Sequence, residues 1–184
     1  MAWFDCDNSG TNSDLTPGLG WNKRLLGKGT ATQSGTVTRS VPLLTTDEVS
    51  GSWSTASNIP FITNWANGLY TCAVNVTTLS VGVSGQLQLV RVNSSGTVQE
   101  TLGTSISFVT IGITTTFSVS INPASGSTGD RYQLRVLGTN ILNLFGTLTI
   151  TVDSNCFVEA PFVYQRRGGN FSGRSGFGSR VVVG

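Results

Sequence analysis

The stretch Thr128-Gly129-Asp130-Arg131-Tyr132-Gln133-Leu134-Arg135-Val136 decides the fold class. A Gly-Asp turn feeds a run in which Tyr132, Leu134 and Val136 alternate with polar residues, and a period of two puts those three on one face of a strand. The same pattern extends outward through residues 68–163. Tyr70, Cys72, Val74 and Val76 alternate with Thr71, Ala73, Asn75 and Thr77, and Leu148 and Ile150 alternate with threonines. Residues 86–92 and 97–102 flank Asn93-Ser94-Ser95-Gly96, which reads as a hairpin turn with Gly96 at positive φ. Further strands are predicted at 69–83, 105–111, 114–121, 130–137, 145–152 and 157–163, and an earlier one at 36–44, which Pro42 confines to a sheet edge. Short strands separated by Gly, Asn, Ser and Asp at intervals of about 8–12 residues predict an all-β protein. The specific expectation is a single antiparallel β-sandwich without helices. Its core should hold Tyr70, Val74, Val76, Tyr132, Leu134, Val136, Leu148 and Ile150.

The 184-residue chain is long enough for one domain with arms, and its 38% hydrophobic content suffices for one core. Only 11% of residues are charged. The charge is unevenly placed: residues 1–159 carry seven Lys and Arg against nine acids, whereas residues 160–184 carry four Arg and no acid. Residues 1–35 show no sustained period and are rich in Asn, Ser, Thr, Gly and Pro, so they read as an extended N-terminal arm anchored by Trp3, Phe4, Trp21, Leu25 and Leu26. Residues 36–164 form the sandwich domain in this reading. Residues 165–184 are a Gly/Arg-rich C-terminal arm whose composition cannot build a core of its own. Its Arg166, Arg167, Phe171, Arg174, Phe177, Arg180, Val181, Val182 and Val183 are the candidate partner-binding residues. The aromatics and valines would anchor on a neighbouring protein while the arginines pair with carboxylates. No stretch is apolar enough for a spanning helix and no basic leader opens the chain, so a protein without membrane partners is expected.

Chemistry is sparse. The chain has no histidine, which excludes Ser-His-Asp and Cys-His catalysis, and Cys6, Cys72 and Cys156 lack CxxC spacing and read as reduced thiols. Glu100, Asp130, Asp153 and Glu159 could form a glycosidase pair only if folding brought two of them together. Asp130, at a strand start, is more simply a turn cap. Asp5-Cys6-Asp7-Asn8-Ser9-Gly10 has the spacing that opens a calcium loop, but Thr16 stands where the bidentate Glu is required. Trp53, Trp65 and Tyr70, if exposed, could make a sugar-stacking platform. The tail arginines with Phe171 and Phe177 could contact nucleic acid, though four arginines on a nearly neutral chain fit protein docking better. The expectation is no enzyme, no cofactor and no metal.

Gly68-Leu69-Tyr70 opening a long strand, Gly129-Asp130 opening a later one, and Phe145-Gly146-Thr147-Leu148-Thr149-Ile150 closing the sheet together resemble the C1q/TNF-like jelly roll. Small virion proteins of tailed bacteriophages, such as capsid cement or decoration proteins and head fibres, are similar in this layout. The resemblance covers residues 68–163. It implies a homotrimeric sandwich with a structural role in the virion, partnered by other virion proteins of the capsid shell, and it carries over no catalytic residues. A carbohydrate- or receptor-binding module of a phage tail or fibre, and a shell protein contacting nucleic acid through its Arg/Gly tail, are the alternatives.

Overall fold

A computed structural model describes residues 2–8, 21–27, 29, 31–55, 68–109, 113–121 and 130–161. They form an all-β structure of eleven strands. These are β1 (Ala2–Cys6), β2 (Trp21–Gly27), β3 (Gly35–Ser40), β4 (Thr45–Ser54), β5 (Gly68–Leu79), β6 (Val83–Val92), β7 (Val98–Thr104), β8 (Ile113–Ile121), β9 (Arg131–Asn140), β10 (Thr147–Val152) and β11 (Phe157–Ala160). No helix occurs among the described residues, hence none long and apolar enough to cross a membrane. The strands join in one continuous mixed sheet of order β3-β10-β5-β11-β1-β2-β4-β9-β6-β7, with β8 paired to the free side of β5. All pairings are antiparallel except β2 with β4, which run parallel. The expectation of a purely antiparallel arrangement is corrected at that junction.

The period-two reading of the central strands matches the burial. Tyr70, Val74, Val76, Tyr132, Leu134, Val136, Leu148 and Ile150 are all buried. Tyr70 on β5 and Tyr132 on β9 have four strands between them in sheet order, yet their hydroxyls lie 2.6 Å apart and their rings meet edge to face at 5.5 Å. The sheet therefore bends back so that its two halves share one core. The paired hydroxyls satisfy each other inside it, and the ring contact adds about 0.5–1.5 kcal/mol beyond simple burial. The β6–β7 hairpin also follows the sequence reading. Gly96 has φ 85° and its N–H donates to the Asn93 carbonyl, while the Asn93 side chain accepts from the N–H groups of Ser95 and Thr97. Pro42 follows β3, which pairs only with β10 and is an edge strand.

Three elements differ from the sequence reading. Residues 1–35 are not an arm throughout: β1 lies between β11 and β2, in the middle of the sheet. Five residues of alternation in β1 were too few to register as a strand, and its buried Asp5 disguised the pattern. The β4 segment was equally hidden, because its buried face includes Ser50, Ser52 and Ser54 instead of large apolar side chains. Residues 105–109 do not form the predicted strand and make only one bridge, Gly85 with Phe108. Ser105 turns the chain there, its hydroxyl accepting from the Leu87 N–H and donating to the Ile106 carbonyl. The C-terminal arm, the turn at 123–129 and Trp65 lie outside the described residues.

Candidate interaction surface

Several described side chains considered for chemistry have structural partners. Asp5 accepts from the Trp3 indole and from the Gly29 N–H at 2.6 Å, and Asp7 accepts from the Thr32 N–H at 2.8 Å. These two carboxylates fasten the loop before β3 to the end of β1, and Asp5 and Cys6 belong to that strand. Among the described residues no three His, Cys, Asp or Glu side chains are grouped to hold a metal. Arg91 bridges Glu100, at 3.3 Å, and Asp130, at 2.5 Å, which ties two of the four acids considered as a glycosidase pair to one guanidinium. Trp53 and Tyr70 are fully buried, which corrects the idea that they present a sugar-stacking platform.

Asp153 caps the turn into β11. Desolvation raises its pKa, but hydrogen bonds from the Asn75 amide, at 2.9 Å, and from the Asn155 N–H, at 2.8 Å, outweigh burial and leave the carboxyl below the usual range. A depressed folded pKa means that this contribution is present above the unfolded value of about 3.9 and fades as pH falls through the folded value. Asp153→Asn is expected to lower stability by about 1 kcal/mol at neutral pH and to lessen the acid-side loss. Urea melts of both proteins from neutral to strongly acidic pH measure this.

The three cysteines are free and buried. Burial pushes the Cys156 thiol up to about 11 and raises that of Cys72; at Cys6 burial acts first, with Cys156, Cys72 and Asp5 adding to it. Held as protonated thiols, they are small core hydrophobes and poor nucleophiles. Thiol reagents are expected to label the native protein roughly a thousandfold or more slowly than the urea-unfolded chain, at a rate set by opening of the core.

The distinctive surface lies at one end of the sheet. The strand registers bring together there the β3–β4, β5–β6 and β9–β10 connections and the segment after β7. Of the exposed large hydrophobic side chains among the described residues, all but Leu69 and Val98 belong to these connections: Leu43, Leu44, Val81, Ile106, Val109, Ile141, Leu142, Leu144 and Phe145. Val81 is 92% exposed, Phe145 81% and Leu142 79%, and residues 41–46, 79–84, 105–109 and 140–147 contain no charged residue. Phe145, read from the sequence as the start of a core strand, instead projects from the turn that precedes β10.

Local hydrogen bonding explains why these side chains face out. The Asn140 amide donates to the carbonyls of Val41 and Asn143, both at 2.7 Å, and its oxygen accepts from the Asn143 N–H. The Asn143 amide donates to the Val81 carbonyl at 2.8 Å and accepts from the Phe145 N–H. Two asparagines thus consume backbone polar groups of three connections, and the apolar side chains are left on the outside. Val81 sits in a tight turn closed by Val83 N–H to Ser80 carbonyl, with Gly82 at φ 83° as that geometry requires. Leu44 has φ 61°, a left-handed conformation costly for a bulky residue, while 79% exposed. A groove of about 440 Å³ opens between these turns, lined by Leu79, Val81, Val83, Val109, Ile141 and Leu142 among others. Asp47 marks its rim through hydrogen bonding with Thr139, which also lines the groove.

The sequence did place these residues in uncharged runs, which was the available signal, but apolar runs next to strands read as core. The predicted tail residues Arg166, Arg167, Phe171, Arg174, Phe177, Arg180, Val181, Val182 and Val183 lie outside the described residues. No protein-family model matches the chain, and no curated protein matches its sequence.

Proposed function

We propose that this chain is a structural protein that works by assembly, with no catalytic step: a virion component of the capsid cement or decoration kind, in which the bent sheet is a jelly-roll variant and copies associate as a homotrimer or larger array. The observation that supports this reading is the concentration of exposed apolar side chains at one uncharged end. Monomeric soluble proteins rarely present contiguous apolar patches of that kind, because water disfavours them. The four connections together contain about as many residues as the 20–30 that one side of a standard interface uses. Their inward hydrogen bonds hold the surface in place before any partner arrives, which lowers the ordering cost of association.

Sedimentation of the full chain over a wide concentration range tests the proposal. Discrete oligomers are expected, and Leu144→Asp with Phe145→Asp should shift them toward monomer, since each substitution places a charge where an apolar contact formed. A chain that stays monomeric at high concentration and forms no particles under electron microscopy would overturn the assembly role.

A further inference from the structure

We propose that the groove at the apolar end receives the C-terminal segment, residues 165–184, of a second copy of this chain. The inference rests on the assembly role and names both halves of one contact. Three observations select this occupant. The first is where the segment starts. Pro161, the last described residue, packs against Gly68 at the β5 end opposite Leu79, so the following residues begin at the far end of the molecule from the groove. The twelve residues of β5 separate the two ends by roughly 40 Å, whereas residues 162–184 can reach roughly 75 Å when extended. A segment leaving one end and a receptor at the other make a head-to-tail contact, the kind that builds rings or arrays instead of closed two-fold pairs.

The second observation is charge. Asp47 borders the groove through its hydrogen bonding with Thr139, and the connections around it contain no Lys or Arg. The segment carries Arg166, Arg167, Arg174 and Arg180 and no acid. The third is chemistry: Phe171, Phe177 and Val181 to Val183 are apolar groups spaced among glycines, suited to an apolar groove with an acidic rim. Association of two grooves face to face would leave the arginines unused and bring the two acidic rims together.

Photo-crosslinking in the full chain tests the contact. Phe177 is replaced by a benzophenone amino acid, protein labelled with heavy nitrogen is mixed with unlabelled protein, and crosslinked peptides are mapped by mass spectrometry. Crosslinks from position 177 to residues 79–84 or 139–145, in mixed-isotope pairs, are expected. Leu142→Asp should reduce their yield roughly tenfold, because a buried apolar contact of that size is lost. Asp47→Lys, which reverses the charge at the rim while keeping the apolar lining residues, should reduce it several-fold, and more at low salt than at high. Thermal melts establish that both variants are folded.

Crosslinks confined to one isotope would mean that the segment docks on its own copy and would overturn the proposal. Crosslinks to another surface would do the same. A benzophenone at Leu142 that captures only Leu142 of another copy would establish groove-to-groove contact instead. Cosedimentation with phosphatidylcholine vesicles that Leu142→Asp abolishes would assign the groove to lipid. Oligomers that persist with any of these results would leave the assembly role standing and remove only this contact; a strict monomer would remove the assembly role itself.

Discussion

Trp53→Ala is expected to destabilise the protein by about 3–5 kcal/mol, a large part of the roughly 5–15 kcal/mol that holds such a domain folded. Trp53 on β4 is completely buried, and its indole N–H donates to the Asp7 carbonyl at 3.1 Å, just past the end of β1. The side chain therefore fills the core and ties β4 to the N-terminal strand. Truncation removes the largest fully buried side chain and leaves a cavity that surrounding strands, fixed by their ladders, can only partly close. Trp53→Phe separates the two roles: most of the volume stays while the hydrogen bond to Asp7 goes, at a cost of about 1 kcal/mol plus the smaller loss of volume. Urea unfolding midpoints should fall in the order wild type, Trp53→Phe, Trp53→Ala, with the alanine variant folded only marginally. Equal midpoints for wild type and Trp53→Ala would show that the N-terminal strand is not part of the cooperative unit.

This dependence on β1 was the least legible part of the fold. Strands β5, β9 and β10 announce themselves because each alternates large apolar residues with polar ones, and the Asn93 to Gly96 hairpin because its turn demands those residue types. β1 and β4 are held by a different chemistry. Asp5 and Asp7 are buried because backbone N–H groups of Gly29 and Thr32 satisfy them, and the Ser52 to Ser54 end of β4 is buried because β9 on one side and β2 on the other cover it. Polar residues whose partners lie far along the chain look like loop until those partners are known. The parallel pairing of β2 with β4 is likewise invisible in local pattern, since alternation does not encode strand direction.

The candidate surface was hidden by the converse effect. Leu142, Leu144 and Phe145 belong to an apolar run that hydropathy assigns to the interior, and the adjacent β10 is indeed interior. What turns them outward is Asn140 and Asn143, which consume the polar groups of the turn in both directions along the chain. Asn-rich turns are common, and only the convergence of Val41, Val81 and Asn143 carbonyls on these two amides identifies this one. The docking role proposed for residues 165–184 comes from composition alone, whereas the groove proposed to receive them emerges only from the fold.

Arg91→Met is expected to cost about 3–5 kcal/mol, because it leaves Asp130 buried without its guanidinium. Asp130 has only 3% of its side chain exposed and Arg91 14%, with a 2.5 Å contact between them. Glu100, the other partner of Arg91, has a side chain 40% exposed. Water can replace its partner, so Glu100→Gln should cost no more than about 1 kcal/mol. The asymmetry predicts the outcome of a double substitution. Arg91→Met combined with Asp130→Asn removes both buried charges and should recover much of the loss, since a buried ion pair contributes little relative to neutral groups of the same size, whereas half of a pair is costly. Melts of wild type, Arg91→Met, Asp130→Asn and the double variant measure the coupling directly. A double variant as unstable as Arg91→Met alone would mean that the cost of Arg91→Met does not come from stranding the Asp130 charge.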